Sequence, residues 1–230
     1  MKSAVIVFPG SNCDRDVFTV MQAQGLNPQF VWHDDATLPE GLDLVVLPGG
    51  FSFGDYLRCG AMAARSPIMQ DVVKFADKGG HVLGICNGFQ ILCESGLLPG
   101  TLMRNNHLKF NCKETTLRVE ANDSAFTSGY KKGQVINLPV AHAEGNYFAD
   151  ATTLKVLQEN GQIVLRYATA EGAVNDEANP NGACENIAGI TNKAKNVLGM
   201  MPHPERHADA ALGGADGVPL FASLLAKLAA

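Results

Sequence analysis

A single cysteine stands at the point where an apolar strand would turn into a helix. Residues 81–96 read HVLGICNGFQILCESG, and Cys86 has Gly84 two residues before it and Gly88 two residues after it. This spacing is the cysteine version of the G-x-S-x-G nucleophile elbow. The turn places the thiol at a helix N-terminus, where the peptide dipoles favour a thiolate. We interpret Cys86 as a nucleophile; the alternative is a small, buried hydrophobic residue, the commoner role of a cysteine.

A cysteine nucleophile needs a base, and His203 is the best candidate among the six histidines. It lies between two prolines in MMPHPERH, which stiffen the backbone. In an extended segment Glu205 would point the same way as His203, hold one ring nitrogen and leave the other for the thiol. Two alternatives remain: a surface turn, or a zinc site built on His203 and His207. The zinc-binding pattern H-E-x-x-H fits this segment poorly, because Pro204 lies between the two histidines and the glutamate is not at the position that the pattern requires.

Acyl transfer also needs hydrogen-bond donors for an oxyanion, and backbone N–H groups supply them best. The N–H of Asn87, directly after the nucleophile, is one expected donor. The segment VVLPGGFSFGD offers a second, because Gly49 and Gly50 end a strand at the carboxyl edge of the sheet, where open α/β sheets bind ligands. A Gly-Gly pair alone is more often a simple turn. We interpret this pair as part of an oxyanion site because of its expected position relative to Cys86.

Composition limits the classes of protein to consider. The chain has 230 residues, 46% of them hydrophobic, which suits one large core, and we predict a single domain over 1–230. A net charge of −5 without a basic block is atypical of proteins that bind nucleic acid or anionic membranes. No apolar run is long enough to span a bilayer or to form a signal peptide. We therefore expect a cytoplasmic protein with reduced cysteines at 13, 59, 86, 93, 112 and 184.

The strands and helices expected from the sequence alternate through the first half of the chain, which predicts an α/β fold with a doubly wound, mostly parallel sheet. The predicted strands are 3–8, 29–32, 44–47 and 81–85, and the predicted helices are 14–24, 61–77, 88–95 and the C-terminal 218–228. Further strands at 115–120, 135–140 and 163–168 have hairpin-type links, so the C-terminal half adds antiparallel strands. Residues 175–186 form a polar loop.

Three motifs, GICNGFQ, PGGFSFGDY and MMPHPER, together resemble the class I glutamine amidotransferases, which use a Cys–His–Glu triad. Within that class, FPGSNCDRD, GDYLRCGAMAA, RNNHLKFNC, VAHAEGNY, NPNG and GMMPHPER are similar to the glutaminase subunits of phosphoribosylformylglycinamidine synthase, a purine-biosynthesis family. These stretches cover residues 8 to 206. The resemblance implies the amidotransferase fold and release of ammonia from glutamine.

The same resemblance implies roles for individual residues. Cys86 is the nucleophile, His203 the base and Glu205 its orienting group. Gly50 and Asn87 match the oxyanion donors, and Gln90 matches a residue that helps to hold glutamine. Four further positions match family residues near the site: Arg104, Asn105, His142 and Glu144. The chain departs from the family pattern at Ala143, where H-G-E-G is usual, and at Ala183, where several members have serine.

The ammonia must reach an acceptor that this chain does not provide. The sequence has no G-x-x-x-x-G-K-[ST] loop and no spare domain for ATP, so we expect no cofactor or metal in this chain and an acceptor site on another protein. The resemblance implies a large synthetase subunit that uses ATP and magnesium, and in many bacteria a small third subunit.

Two other functional classes remain. One is a γ-glutamyl hydrolase or peptidase on the same sheet, and the purine-family motifs argue against it. The other is a non-catalytic binding or regulatory module, and the intact Cys86, His203 and Glu205 argue against that.

Overall fold

The computed structural model describes residues 1–228, which form eleven strands and five α-helices. Nine strands build one sheet: β1 (Ser3–Val7), β2 (Pro28–Trp32), β3 (Leu44–Leu47), β4 (His81–Ile85), β6 (Asn111–Val119), β7 (Val135–His142), β9 (Ile163–Tyr167), β10 (Ile187–Thr191) and β11 (Val197–Met200). A separate two-stranded sheet pairs β5 (Thr101–Met103) with β8 (Asn146–Phe148). The helices are α1 (Asp14–Ala23), α2 (Pro67–Asp77), α3 (Asn87–Glu94), α4 (Ala151–Glu159) and α5 (Val218–Leu228).

The large sheet has the order β2-β1-β3-β4-β11-β10-β9-β6-β7. Its first five strands are parallel to one another, and antiparallel pairing begins between β11 and β10. The central strands read as continuous apolar runs such as LVVL in β3, as expected for strands covered on both faces. The predicted mixed α/β architecture is confirmed. None of the helices within residues 1–228 is long and apolar enough to cross a membrane.

The helix predicted over 61–77 was wrong at its start. It begins at Pro67, and Ala63–Arg65 forms a separate 3-10 turn. Proline favours the first position of a helix and pushes the residue before it into an extended conformation, which Ser66 adopts (φ −61°, ψ 146°). Helix α4 was not predicted, although Asp150 signals its start by accepting a hydrogen bond from the Thr153 amide.

Strands β3, β4 and β11 are neighbours in the sheet and run in the same direction. Their carboxyl ends therefore meet at one edge, and each leads directly into one of the motifs identified above. The loop containing Gly49 and Gly50 follows β3, Cys86 follows β4, and the segment containing His203 follows β11. The sheet thus gathers three distant stretches of sequence at the edge where α/β proteins bind ligands.

Candidate active site

Cys86 is the residue between β4 and α3, and its backbone is strained. Its φ of 51° and ψ of −104° lie outside the regions that non-glycine residues favour. The strain is held by neighbours: the Cys86 amide donates to the Met200 carbonyl (2.7 Å), and the Cys86 carbonyl accepts from the amides of Phe89 (3.0 Å) and Gln90 (3.2 Å). A strained backbone fixed in this way is typical of a catalytic elbow.

The glycines around Cys86 are required by close packing of α3 on the sheet. A Cβ added to Gly84 would lie 2.6 Å from the carbonyl oxygen of Gly88. A Cβ added to Gly88 would lie 2.0 Å from the carbonyl oxygen of Leu47 in β3. Both contacts are with backbone, which cannot rotate away as a side chain can. The spacing that suggested an elbow in the sequence therefore also brings the helix against two strands.

We expect Gly88→Ala to lower the free energy of unfolding by about 3 kcal/mol or more, because α3 must move away from β3. Urea denaturation followed by circular dichroism measures this loss. Gly79→Ala is the matched control: Gly79 has a φ of +93° but open space around it, so it carries only the left-handed backbone cost of about 1–2 kcal/mol. Equal losses in the two variants would show that the contact with Leu47 is unimportant.

His203 and Glu205 form a buried pair. His203 Nδ1 lies 2.6 Å from Glu205 Oε1, and the two residues are 1% and 5% exposed. The backbone differs from the extended segment expected, because Pro204–Arg206 forms a 3-10 turn. The turn brings the carboxylate back to the ring. The His203 amide also donates to the Pro139 carbonyl (2.8 Å), which fixes the histidine against β7.

The surroundings of His203 favour the protonated form of its ring. Burial alone would lower its pKa, but the charge of Glu205, with smaller contributions from Cys86 and Cys13, raises the pKa well above its usual value. His203 Nε2 is buried and has no hydrogen-bond partner among residues 1–228. A positive ring close to Cys86 stabilises a thiolate, and its Nε2 proton is available for a leaving group.

Gly49 shows how closely Cys86 and His203 approach each other. A Cβ at this position would lie 2.7 Å from Cε1 of His203 and 3.4 Å from Cβ of Cys86. The Cys86 thiol itself donates to the carbonyl oxygen of Ala141 (3.6 Å). Cys86, His203 and the end of β3 therefore share one small volume, and only glycine leaves enough room at position 49.

The candidate oxyanion donors flank this volume. Gly50 has a φ of +137°, a conformation that favours glycine, and it lines the same cavity as Cys86. Asn87 is the first residue of α3, so its N–H has no acceptor within the helix. Their role as oxyanion donors stays a prediction, and their positions suit it.

A chain of side-chain amides connects the elbow to the loop after β7. The Ser52 amide donates to Asn87 Oδ1 (3.2 Å), Asn87 Nδ2 donates to Gln90 Oε1 (2.8 Å), and Gln90 Nε2 donates to the Glu144 carbonyl (2.7 Å). Gln90 lies on the cavity wall, but both ends of its amide bond to protein groups. In this geometry Gln90 braces the wall that faces the thiol.

The cavity beside the thiol has a volume of about 220 Å³. Arg104 lies at its mouth with 74% of its side chain exposed, 3.6 Å from Glu144. Asn105 does not line the cavity: it is fully buried, donates to the His142 carbonyl (3.0 Å), and accepts from the Gly145 amide (3.0 Å). It therefore shapes the loop behind the site. The lining residues are Gly50, Phe51, Asp55, Cys59, Cys86, Gln90, Arg104, Ala141, His142, Ala143 and Glu144.

His142 is a neutral histidine in this wall. Burial, followed by the nearby charge of His203, lowers its pKa to about 4. Its Nδ1 lies 3.2 Å from Asn105 Oδ1, and its Nε2 has no partner among the described residues. The neighbouring Ala143, which departs from the family's glycine, has no positive φ, so alanine fits the backbone at that position.

We expect His142 to make the protein less stable as the pH falls from about 6.5 to 4. In this range the unfolded chain takes up a proton at His142 and the folded protein does not, so stability rises with pH. The difference in the pKa of His142 between the unfolded and folded states corresponds to about 3 kcal/mol in the free energy of unfolding. Urea denaturation of His142→Gln should show a stability deficit relative to the unchanged protein that narrows toward pH 4. Lys78→Gln, at an exposed lysine that does not titrate in this range, is the control. A pH-independent deficit for His142→Gln would contradict the expectation.

Several residues that the sequence analysis did not select belong to this region. Arg206 donates to Cys13 Sγ (3.0 Å) and to Asp16 Oδ2 (3.1 Å), and so fastens the catalytic turn to the start of α1. Asp55 and Cys59 line the cavity. The signal for Arg206 was its place next to Glu205 in MMPHPER, and for Asp55 its place in PGGFSFGDY.

A metal site on His203 and His207 is not formed within residues 1–228. The one group there with metal-like spacing is Cys13, His203 and Glu205, whose ligand atoms lie within 4.8 Å of one another. The guanidinium of Arg206 touches Cys13 Sγ, and a positive charge there opposes a cation. The His203–Glu205 hydrogen bond is better explained as part of a catalytic triad.

Comparison with known proteins agrees with this geometry. Residues 1–212 match the family model of the CobB/CobQ-like glutamine amidotransferase domain. The phosphoribosylformylglycinamidine synthase subunit PurQ of Rhodopseudomonas palustris (strain BisB18) is 60% identical over 230 residues, which cover 100% of this chain and 99% of the relative. A chain in the structure of PurLQS from Thermotoga maritima is 44% identical with a TM-score of 0.87, covering 99% of this chain and 98% of that one.

A more distant neighbour shows how far the fold extends. A glutamine amidotransferase from Thermotoga maritima shares 16% of its residues with this chain at a TM-score of 0.64, with coverage of 99% and 97%, which demonstrates the common fold alone. The motifs, the geometry of the triad and the full-length matches lead to one conclusion: the chain belongs to the PurQ family of phosphoribosylformylglycinamidine synthase subunits, whose domain is a CobB/CobQ-like glutamine amidotransferase domain.

Proposed function

We propose that this chain hydrolyses glutamine to glutamate and ammonia, and supplies the ammonia to a synthetase that makes formylglycinamidine ribonucleotide in purine biosynthesis. The whole chain acts as one glutaminase domain. The observation that carries the proposal is the buried His203–Glu205 pair, which meets the strained Cys86 elbow beside a cavity. The family membership supports the choice of acceptor.

The reaction is acyl transfer through a thioester. The Cys86 thiolate attacks the side-chain amide carbon of glutamine, and the N–H groups of Gly50 and Asn87 stabilise the oxyanion. His203 gives its Nε2 proton to the departing nitrogen, the C–N bond breaks, and ammonia leaves. His203 then takes a proton from water as the water attacks the thioester. The C–S bond breaks, glutamate leaves, and the Cys86 thiolate and the protonated His203 are restored. General acid–base catalysis of this kind raises the rate by a factor of about 10²–10⁴.

The ammonia acceptor lies on a partner. We propose that ATP and magnesium are used there, on a large synthetase subunit, with a small third subunit in the complex, and that the assembly is cytoplasmic. Exposed apolar side chains next to lining residues of the cavity support a partner on this face. Tyr56 and Leu57, which directly follow Asp55, are 74% and 92% exposed, and the ring of Phe110 stacks at 6.4 Å on that of Phe51, which lines the cavity. Apolar groups of this size, if left open to water, are typical of an interaction surface.

The test is glutamate release by the purified chain, with and without the synthetase and its substrates. We expect slow turnover alone and at least a tenfold increase in the complete complex, because an uncoupled glutaminase wastes its substrate. Equal turnover in both conditions would identify a stand-alone hydrolase. A complex that forms product from ammonium salt but never from glutamine would contradict the glutaminase assignment.

A further inference from the structure

Asp55 is a carboxylate in the cavity with a buried oxygen that is not paired within residues 1–228. Its Oδ1 is buried and has no hydrogen-bond partner among the described residues. The side chain lines the same cavity as the catalytic thiol. The cavity also contains His142, which is 3% exposed and whose Nε2 is likewise unpartnered. Buried polar atoms are almost always paired, so unpaired ones in a cavity of this kind indicate a polar ligand.

The loop that carries Asp55 is built to hold it in place. Phe53, Asp55 and Leu57 have positive φ values of 54°, 56° and 67°. The Phe53 amide donates to the Pro9 carbonyl (2.6 Å), and the Gly54 amide donates to the Phe51 carbonyl (2.8 Å). Three left-handed non-glycine residues in one short loop cost free energy, and such strain persists where the surrounding structure fixes it.

The charges in the cavity match an amino-acid zwitterion. Among its lining residues, Asp55 and Glu144 are acidic and Arg104 is basic. Glu144 is already paired with Arg104 at 3.6 Å, so Asp55 is the carboxylate without a positive partner. Burial, together with the charge of Glu144, raises the pKa of Asp55 despite a hydrogen bond from Cys59. A cation delivered by the substrate would relieve this unfavourable burial.

We propose that Asp55 binds the α-ammonium group of glutamine, and so restricts the reaction to the free amino acid. The inference rests on the proposed function. Glutamine would place its amide carbon at Cys86 Sγ and its ammonium group at Asp55. Its carboxylate would lie toward the terminal nitrogens of Arg104 at the mouth, because the pair with Glu144 uses Arg104 Nε. Peptidyl or N-acylated glutamine has no ammonium group at that point and would leave Asp55 buried and unpaired, which is the strongest form of discrimination available to a site.

The test compares glutamine with its deamino analogue, 5-amino-5-oxopentanoate, as substrates of the reconstituted complex. In the unchanged protein, glutamine should have a kcat/KM about 10- to 100-fold higher than the analogue, the range for a hydrogen bond to a charged group. Asp55→Asn should remove most of this preference by raising KM for glutamine, with little effect on the analogue. Asparagine tolerates positive φ, so the loop is preserved. Asp34→Asn, at an exposed aspartate outside the cavity, is the matched control.

A second readout makes the result independent of turnover. Alkylation of Cys86 by a diazo-ketone analogue of glutamine, with and without the α-amino group, should show the same preference and the same loss of it in Asp55→Asn. Ammonia release from glutamine by the unchanged complex decides the proposed function. The amino-to-deamino ratio decides the role of Asp55: an unchanged ratio in Asp55→Asn, or an equal loss for both compounds, would overturn it.

Discussion

Cys86→Ala is expected to abolish product formation from glutamine while leaving product formation from ammonia intact. The thiol is needed only to release ammonia, whereas the ATP-dependent amination takes place on the partner. Loss of the nucleophile should lower glutamine-dependent activity by about 10⁴-fold or more. The measurement is formation of formylglycinamidine ribonucleotide by the reconstituted complex with each nitrogen source in turn. High ammonium salt at mildly alkaline pH supplies free ammonia directly.

Cys112→Ala is the control for this experiment, because Cys112 is an exposed thiol outside the cavity. It should retain both activities. Full glutamine-dependent activity in Cys86→Ala would show that Cys86 is not the nucleophile. If Cys86→Ala also lost the ammonia-dependent activity while folded and bound to its partner, the division of labour between the two subunits would be wrong.

The second large effect is expected at the His203–Glu205 pair. His203→Ala should lower glutamine-dependent kcat by about 10⁴-fold, because proton transfer to the leaving nitrogen is lost. Glu205→Gln should be milder, by about 10²-fold, since the amide oxygen can still accept from Nδ1 at the position of Oε1. What it lacks is the charge that raises the pKa of His203. Neither variant should affect synthesis from ammonia.

The pH dependence of kcat/KM for glutamine distinguishes the effect of the Glu205 charge from the effect of its packing. In the unchanged protein, Glu205 keeps the His203 ring protonated to higher pH than usual. Removal of that charge lowers the pKa, so the alkaline limb of kcat/KM for glutamine should move to lower pH in Glu205→Gln. Glu40→Gln, at an exposed glutamate, is the control and should leave the profile unchanged. If Glu205→Gln lowers kcat/KM equally at every pH without moving the alkaline limb, the glutamate is needed for packing alone.

Local patterns in the sequence were enough to select the residues that we propose as the catalytic triad. A strand that turns sharply into a helix needs glycine on both sides of the bend, and Gly84 and Gly88 reveal that need through spacing alone. The prolines beside His203 and the nearby Glu205 are similarly short-range features. Apolar runs such as LVVL in β3 predicted the buried parallel strands. These signals survive in the sequence because backbone sterics and strand periodicity act over a few residues.

The tertiary structure decided which segments meet. The parallel register of β3, β4 and β11 brings Gly49, Cys86 and His203 to one point. The 3-10 turn after His203, rather than an extended strand, returns Glu205 to the ring. No spacing rule contains this information, because sheet order and long-range packing fix it.

The cavity wall depends on the same long-range packing. Residues from the loops after β3 and β7 line one cavity together with Cys86, and Asp55 among them has an unpaired oxygen. Asn105, matched by motif to the same site, lies behind the wall because its amide bonds to the loop containing His142 and Gly145. The sequence therefore predicted the residues of the triad, whereas the surroundings of the cavity became visible only when distant loops were packed together.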